Sequence, residues 1–246
     1  MQVTIVAEIA SNWEGNVQKA KKLVLESKKA GANAVKFQMW RARDLYSEKH
    51  PNWNTIKKSE LRFEQVKKIK KFADQIGIEF FCSAFYPDAV NFLETLKVKK
   101  YKIASRTCLL KDPYSIDTLL TKARTKKPVI ISMGMGGNLK KIKNIFKKNN
   151  KTFCYCISKY PTSLGEINWN EAKKFDGFSD HTFGIIAPVI FAVIKKQSKA
   201  KKIIIEKHVK LKNSKGPDAS TSITTEQLKE LTSQIRIIEK IKFEKL

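Results

Sequence analysis

Short apolar runs rich in β-branched residues alternate with longer amphipathic segments along almost the whole chain. The first run, at residues 3–9, precedes a segment at 17–30 with apolar positions at helical spacing, which ends at Gly31. The same order then repeats. It predicts strands at residues 3–9, 33–38, 77–85, 101–105, 128–132, 152–158, 178–182 and 202–209. It predicts helices at about 17–30, 58–76, 87–96, 113–125, 139–148, a short one from 168, then 185–195 and a last one from 224.

Local signals support two of the helix starts. Asp112 followed by Pro113 is typical of an N-cap with proline at the first helical position. Thr224 with Gln227 three residues later forms a capping box, which predicts the start of the last helix. Between the second strand and its helix lies a long polar insertion through Trp53.

The predicted strands are apolar along their whole length, which favours a parallel sheet covered by helices on its faces. Eight such units close a (β/α)8 TIM barrel, and 246 residues suit a single barrel domain covering 1–246. A doubly wound open sheet is the alternative. It loses support because no Gly-x-Gly-x-x-Gly motif follows any predicted strand.

Composition narrows the class of protein. The balance of 49 Lys and Arg against 23 Asp and Glu gives a net charge of +26. Lysines on polar helix faces supply most of it, so we expect no nucleic-acid partner but an attraction for anionic substrates. No apolar run reaches 18 residues, no basic leader precedes the first strand and the four cysteines show no zinc spacing. We therefore expect a soluble cytoplasmic protein with reduced thiols and no membrane partner.

Polar residues stand at the carboxyl ends of most predicted strands, where the chemistry of a TIM barrel takes place. Each residue could instead have a purely structural role: Glu8 and Lys36 could form a core ion pair, and the serines could cap helices. So many convergent polar groups nevertheless favour a shared site. The candidates are Glu8, Lys36, Gln38, Ser83, Lys102, Ser105, Ser132, Ser158, Tyr160, Ser179, Asp180, His181, Glu206 and His208.

These residue types indicate a chemistry. Two lysines with several hydroxyls suit a small anion such as a phosphate ester that carries a carboxylate. Imidazoles on adjacent strands, His181 and His208, suit a divalent metal with open coordination positions. Two carboxylates, Glu8 and Glu206, remain to move protons or stabilise positive charge. Together they favour carbonyl chemistry on a phosphorylated acid.

Eight short motifs carry a family resemblance, in this order along the chain. They are Ala7-Glu8-Ile9 with Asn12 and Gly15, Ala34-Val35-Lys36-Phe37-Gln38, Tyr101-Lys102-Ile103-Ala104-Ser105, Ile131-Ser132 followed by Gly134-Met135, Tyr160-Pro161-Thr162, Ser179-Asp180-His181-Thr182, Glu206-Lys207-His208 and Gly216-Pro217-Asp218. The chain resembles the catalytic barrel of the sialic acid (N-acetylneuraminate) synthase family over nearly its whole length. Each motif alone is modest, but eight in register are specific.

The resemblance implies condensation of phosphoenolpyruvate with an N-acetylated hexose, such as N-acetylmannosamine, to a nine-carbon 2-keto acid and phosphate. It implies a divalent metal, typically Mn²⁺, on His181 and His208. The matches to Gln38, Tyr160 and Asp218 would face the sugar, and the match to Glu8 would lie by the reacting carbons. The matches implied to hold phosphoenolpyruvate are Lys36, Ser83, Lys102, Ser105, Ser132 and Ser179.

The chain also departs from the family pattern. Ser105-Arg106-Thr107 stands where Ser-Gly-Glu is usual, which leaves the sugar open and makes Arg106 a candidate for sugar binding. Ser158 stands where asparagine is common, and Ser83-Ala84 replaces a Thr-Pro pair. Typical members continue into an antifreeze-like domain that inserts an arginine into the site of the partner in a homodimer. Here a separate chain could supply that domain, Arg106 or a basic insertion residue could replace the arginine, or the activity is altered.

Two further hypotheses compete with a sialic-acid-type synthase. One is another phosphoenolpyruvate-using aldol synthase of 3-deoxy-keto acids, and the other is a barrel without catalysis that serves binding. The set Glu8, Lys36, Lys102, His181 and His208 argues against the latter, and the histidine pair with the Gly216-Pro217-Asp218 loop favours the sialic acid type.

Overall fold

Eight parallel strands form a closed barrel in the computed structural model, which describes residues 1–242. Neighbours in sequence pair from β1 to β8, and a β1–β8 ladder closes the sheet. The strands are β1 (Gln2–Glu8), β2 (Ala34–Met39), β3 (Glu79–Ala84), β4 (Tyr101–Ile103), β5 (Val129–Ser132), β6 (Lys151–Cys156), β7 (Gly177–Asp180) and β8 (Lys202–Lys210). The (β/α)8 TIM barrel predicted from the sequence is confirmed. The last four residues of the predicted domain, 243–246, lie outside the described residues.

Helices cover the outside of the barrel. They are α1 (Val17–Lys29), α2 (Ala42–Leu45), α3 (Trp53–Lys58), α4 (Phe63–Gln75), α5 (Pro87–Thr95), α6 (Ser105–Cys108), α7 (Ser115–Arg124), α8 (Leu139–Ile145), α9 (Trp169–Ala172), α10 (Ile186–Gln197) and α11 (Thr225–Lys240). Side-chain caps explain several starts: Asn16 accepts from the backbone amides of Gln18 and Lys19, and Thr224 with Gln227 forms the predicted capping box. In the described part of the chain, no helix is both long and apolar enough to cross a bilayer.

Local differences from the prediction have physical causes. The predicted helix at 58–76 corresponds to α4, which begins five residues later, at Phe63. The segment before it contains two short helices that were not predicted, α2 and α3. Strand β4 ends at Ile103 because the chain turns into the short helix α6 at Ser105. Asp112 does not cap α7: its carboxylate pairs with Arg106, and α7 starts two residues later than predicted, after Tyr114. A short strand, β9 (Ile223–Thr224), pairs with the end of β8 and was not predicted.

Two apolar layers hold the barrel together. A large cluster packs between strands and helices, including Phe37, Phe80, Leu23 and Ile69. A small plug fills the barrel interior; it comprises Val6, Ala34, Phe81, Ile130 and Cys154. Because side chains alternate along a strand, the residues two positions after the plug also point into the barrel, one layer closer to its carboxyl end. The site begins there.

Candidate functional site

The layer above the apolar plug is polar on every strand that contributes to the plug. Two positions after each plug residue, at the carboxyl ends of β1, β2, β3, β5 and β6, stand Glu8, Lys36, Ser83, Ser132 and Cys156. Strand pairing sets their height: Glu8 aligns with Lys36 and with His208, and Ser83 aligns with Lys102. The barrel register therefore gathers these polar groups at one mouth.

Lys36 joins the two carboxylates of this layer. Its Nζ lies 2.8 Å from Glu8 Oε2, 3.8 Å from Glu206 Oε2, and it donates to Ser83 Oγ at 3.2 Å. Glu8 Oε2 has no well-directed hydrogen bond, so its contact with Lys36 is an ion pair off the hydrogen-bond direction. Gln38 Nε2 donates to the other oxygen, Glu8 Oε1, at 2.7 Å.

A second buried pair completes the floor of the site. Lys102 Nζ donates to Glu206 Oε1 at 2.8 Å, and Ser179 Oγ donates to the same oxygen at 2.8 Å. The two lysines and two glutamates are each at most 4% exposed. Buried charges are stable only when paired and hydrogen-bonded, and here two cations compensate two anions.

The surroundings of Glu8 and Glu206 shift the pKa values of their carboxyl groups in opposite directions. Burial raises the pKa of Glu8 to about 7; Lys36 opposes this, and the nearby negative charge of Glu206 adds to it. Burial also acts to raise the pKa of Glu206, but Lys102 and Lys36 more than offset burial and hold that pKa well below its usual range. Near neutral pH, Glu206 is therefore ionised while Glu8 can gain or lose a proton.

The two histidines lie in the next layer, two residues after Ser179 and Glu206. Their ring centroids are 5.4 Å apart, and the Tyr160 ring packs 4.2 Å from that of His181. His181 Nδ1 lies 2.7 Å from the Ile157 carbonyl oxygen, so this nitrogen must carry the proton and donate. In the neutral ring Nε2 then has a free lone pair.

His208 is a buried imidazole with an unused nitrogen. Its Nδ1 has no hydrogen-bond partner among the described residues, and burial lowers its pKa to about 3. A neutral ring with an orphaned nitrogen suits a metal ligand. Among residues 1–242, however, no group of three His, Cys, Asp or Glu side chains is placed to hold a metal ion. A metal held by His181 and His208 would therefore have its other coordination positions open to substrate and water.

Serines line the side of the mouth formed by β4 to β6. Ser105 Oγ accepts from the Gly134 backbone amide at 3.0 Å, and Ser132 Oγ is buried without a partner in the described structure. Cys156 lies between them and the histidines: Ser105 Oγ is 3.7 Å, Ser158 Oγ 3.9 Å and His181 Nδ1 3.9 Å from its sulfur. The orphaned hydroxyl of Ser132 faces the cavity and is suited to an oxygen-rich ligand.

Two charged side chains complete the mouth. Arg106 donates through Nε and Nη2 to Asp112 at 2.8–3.0 Å and through Nη2 to the Leu45 carbonyl at 2.8 Å. Asp218 accepts from the backbone amide of Ser11 at 3.0 Å and from its hydroxyl. The loop between β8 and β9 is thus tied to the loop after β1, and Asp218 faces the cavity.

These groups surround a cavity of about 330 Å³ at the carboxyl ends of the strands. The structure brings the residues predicted to bind substrate or metal or to act in catalysis to its walls except Ser83, which lies beneath it and reaches it only through Lys36. The candidate Asp180 does not line the cavity either, because it alternates with Ser179 and pairs with Lys207 on the outer face of the barrel. Sequence reasoning missed Cys156, although it follows the same alternation as its neighbours. It also missed an apolar side made by Trp40, Leu45, Tyr46, Phe85 and Met135. The first three lie in the insertion, which gave no periodic signal, and the other two follow β3 and β5.

Comparisons with known proteins agree with this geometry. An uncharacterized protein of Methanocaldococcus jannaschii is 35% identical over 96% of this chain and 71% of its own length. N,N'-diacetyllegionaminic acid synthase of Campylobacter jejuni is 31% identical over 96% of this chain and 76% of its own. The crystal structure of a sialic acid synthetase from Leptospira borgpetersenii superposes with a TM-score of 0.87 at 26% identity, covering 98% of this chain and 85% of that one. Since residues 23–245 match the NeuB family and these relatives span nearly all of the barrel, the chain belongs to the NeuB family.

Proposed function

We propose that this chain condenses phosphoenolpyruvate with an N-acetylated hexose of the N-acetylmannosamine type, giving a nine-carbon 2-keto sugar acid and phosphate. Membership of a family with named sugar acid synthases supports a phosphoenolpyruvate-dependent condensation. The observation that carries the proposal is the buried Glu8–Lys36–Glu206–Lys102 network beneath two histidines. It offers cations for an anionic substrate and one carboxyl group able to exchange protons.

Phosphoenolpyruvate would lie on the floor of the cavity. Lys36 and Lys102 supply positive charge, and Ser105, Ser132 and Ser179 supply hydroxyls at the same mouth. Ser158 is a further donor beside them, and Ser83 would act from below by orienting Lys36. Gln38, Tyr160 and Asp218, higher in the mouth, would contact the sugar.

The reaction forms one C–C bond and releases phosphate. C3 of phosphoenolpyruvate attacks the aldehyde carbon of the sugar, whose oxygen takes up a proton, and positive charge develops at C2. Water then adds to C2 and loses a proton, and loss of phosphate leaves the 2-keto group. Glu206, held ionised by Lys102 and Lys36, is suited to stabilise the positive charge, and Glu8, with a pKa of about 7, is suited to take the proton from water.

His181 and His208 fit a divalent metal such as Mn²⁺, because one ring has a free lone pair and the other an orphaned buried nitrogen. When bound, such an ion supplies Lewis-acid polarisation of the sugar aldehyde. Burial acts to lower the pKa of His181, but Cys156 and the Ile157 carbonyl raise it, so metal affinity should weaken in acid as this ring becomes protonated.

We predict that His181→Ala and His208→Ala each abolish stoichiometric Mn²⁺ binding while the barrel stays folded, since both rings lie above the apolar plug. Elemental analysis after dialysis, with circular dichroism for the fold, measures this. His50→Ala, which removes the remaining histidine far along the insertion, is the control. Unchanged manganese content in both site variants would contradict the assignment.

Phosphate release tests the function itself. Purified protein with phosphoenolpyruvate and Mn²⁺ should release phosphate only when an N-acetylated hexose is present, with one 2-keto acid formed per phosphate. Release with a simple phosphorylated aldose alone would favour the 3-deoxy-keto-acid synthase instead. The homodimer and a separately encoded antifreeze-like partner stay predictions.

A further inference from the structure

One side of the mouth is apolar, in contrast to the charged floor. We define the apolar wall as Trp40, Leu45, Tyr46 and Phe85, which all line the cavity. Trp40 follows β2, Leu45 ends α2 and Phe85 follows β3, so the wall rises from the β2–β3 side of the barrel. Leu45, Tyr46 and Phe85 are only partly buried, and their remaining apolar surface faces the site.

The apolar wall is a packed element and not a loose loop. Its members form one cluster with Ala42, Ile56 and Trp53, so α3 backs α2 from behind. The Trp40 and Tyr46 rings meet edge to face with centroids 6.2 Å apart. A rigid apolar surface beside a polar floor is typical of a subsite for an amphipathic ligand.

Arg106 holds the apolar wall in place. Its Nη2 donates to the carbonyl of Leu45, and its guanidinium lies 5.5 Å from the centre of the Tyr46 ring. Asp112, 13% exposed at its side chain, compensates the charge through both Nε and Nη2. Arg106 is therefore anchored to the wall with its charge paired, and it is not a spare cation for an anionic ligand.

The other charges lining the cavity lead to the same conclusion. Lys36 and Lys102 are paired with Glu8 and Glu206 on the floor, where the anionic substrate would bind. At the mouth, Asp218 adds a negative charge. A second phosphate placed beside the wall would meet apolar carbon and a carboxylate, which is costly for a dianion.

The wall also stands where the second substrate must lie. β3 is four strands from β7 around the eight-stranded barrel, so the wall faces His181 across the mouth. When the aldehyde is directed to the histidines, the acylamido group on the adjacent carbon can extend away from them across the mouth, and its methyl end would then meet Leu45 and Tyr46.

We propose that the apolar wall, clasped by Arg106, selects an uncharged acceptor sugar whose methyl-bearing acylamido group packs on Leu45 and Tyr46, and that it rejects phosphorylated hexoses. This inference rests on the proposed function. It adds the charge state and the apolar substituent of the acceptor, and it gives Arg106 a positioning role in sugar selection.

The first test compares acceptors at saturating phosphoenolpyruvate and Mn²⁺. We expect kcat/KM for N-acetylmannosamine to exceed that for N-acetylmannosamine 6-phosphate, and that for mannose, by about tenfold or more. Turnover with equal or better use of the 6-phosphate would overturn the inference but leave the condensation intact. Release of no phosphate with any acceptor would overturn the proposed function as well.

The second test uses wall variants. Leu45→Asn should raise the KM for N-acetylmannosamine about tenfold with little change in that for phosphoenolpyruvate, while Leu45→Met, which keeps the apolar surface, should not. Arg106→Ala should raise the sugar KM in the same selective way. The control for Arg106→Ala is Arg43→Ala, on the helix that carries Leu45 and with a side chain 73% exposed. Equal sugar KM values in wild type, Leu45→Asn and Arg106→Ala would overturn the role of the wall.

Discussion

Lys36 on β2 and Lys102 on β4 lie against buried carboxylates, an arrangement that costs desolvation free energy. Ion pairs this deeply buried often contribute little net stability compared with apolar residues of the same volume. A fold that needed only packing could fill the layer with apolar side chains, as it does one layer below. The charged layer is therefore better explained by ligand binding than by stability.

Lys102→Met should weaken phosphoenolpyruvate binding by about 2–5 kcal/mol, because it removes a cation and leaves Glu206 with only the more distant Lys36. Titration calorimetry with each substrate separately measures the effect. Lys99→Met, an exposed lysine three residues earlier, is the matched control. Intact phosphoenolpyruvate affinity with only sugar binding reduced would contradict the division of the site.

Lys122 is a buried lysine of a different kind. It is fully buried on α7 and donates to the carbonyls of Ala84 at 2.7 Å and Lys102 at 3.2 Å, at the ends of β3 and β4. Burial lowers its pKa to about 7, and no carboxylate pairs with it within residues 1–242. Its amine thus links two strands that share a single ladder position, next to Lys102.

The pH dependence of stability should reveal Lys122. Between about pH 7 and the unfolded-state value near 10.4, the unfolded chain binds more protons than the folded one, so stability rises with pH in that window. Relative to Lys122→Met, the wild-type free energy of unfolding should increase by about 2 kcal/mol from pH 7 to pH 9. Urea titrations at pH 7 and at pH 9 measure the free energy of unfolding. Arg124→Met, on the same helix, is the control. A difference independent of pH would show that Lys122 is not titrating in this window.

At the scale of elements, a buried ion pair on the outer face of the barrel joins β7 to β8. Lys207 Nζ donates to Asp180 Oδ2 at 2.6 Å and to the Thr182 carbonyl, while Asp180 Oδ1 accepts from the Thr182 amide. Both charged side chains are at most 1% exposed. Because Asp180 precedes His181 and Lys207 precedes His208, this pair sets the relative position of the two histidines.

Asp180→Asn should lower the free energy of unfolding by about 3–5 kcal/mol, since it leaves Lys207 buried without a counter-charge. Asp176→Asn just before β7 is the control: its partner is also a lysine, but its side chain is 69% exposed, and the change should stay within about 0.5 kcal/mol. Chemical denaturation of the wild type, Asp180→Asn and Asp176→Asn measures the free energy of unfolding of each. Similar losses in both variants would argue against a special role for the buried pair.

Sequence periodicity was sufficient for the elements that repeat. Strand β8 and helix α1 were predicted to within two residues, because apolar runs and capping residues are local signals. Asp112 shows where such signals fail: the Asp-Pro pair favours a cap, but a tertiary contact with Arg106 takes the carboxylate. Helix α3 was missed because its packing under Trp40 is also tertiary.

For the whole molecule, the closed barrel makes most of the site predictable. Once eight parallel strands are assumed, the polar residue at each carboxyl end must converge, and Glu8, Lys36, Lys102, His181 and His208 do so. What could not be predicted comes from outside the strands. All of the apolar wall except Phe85 lies in a non-periodic insertion. Lys122 has the sequence of an ordinary helix-surface lysine but points into the protein.

The central claim is that this mouth joins C3 of phosphoenolpyruvate to the aldehyde carbon of an uncharged N-acylated hexose. Carbon-13 NMR with [3-¹³C]phosphoenolpyruvate, N-acetylmannosamine and Mn²⁺ follows that carbon directly. The account predicts that the vinyl methylene signal is replaced by an aliphatic methylene coupled to a new carbinol carbon, and that Lys102→Met slows this conversion. Conversion of the label to the methyl group of pyruvate, or an unchanged vinyl signal with every N-acylated hexose, would contradict it.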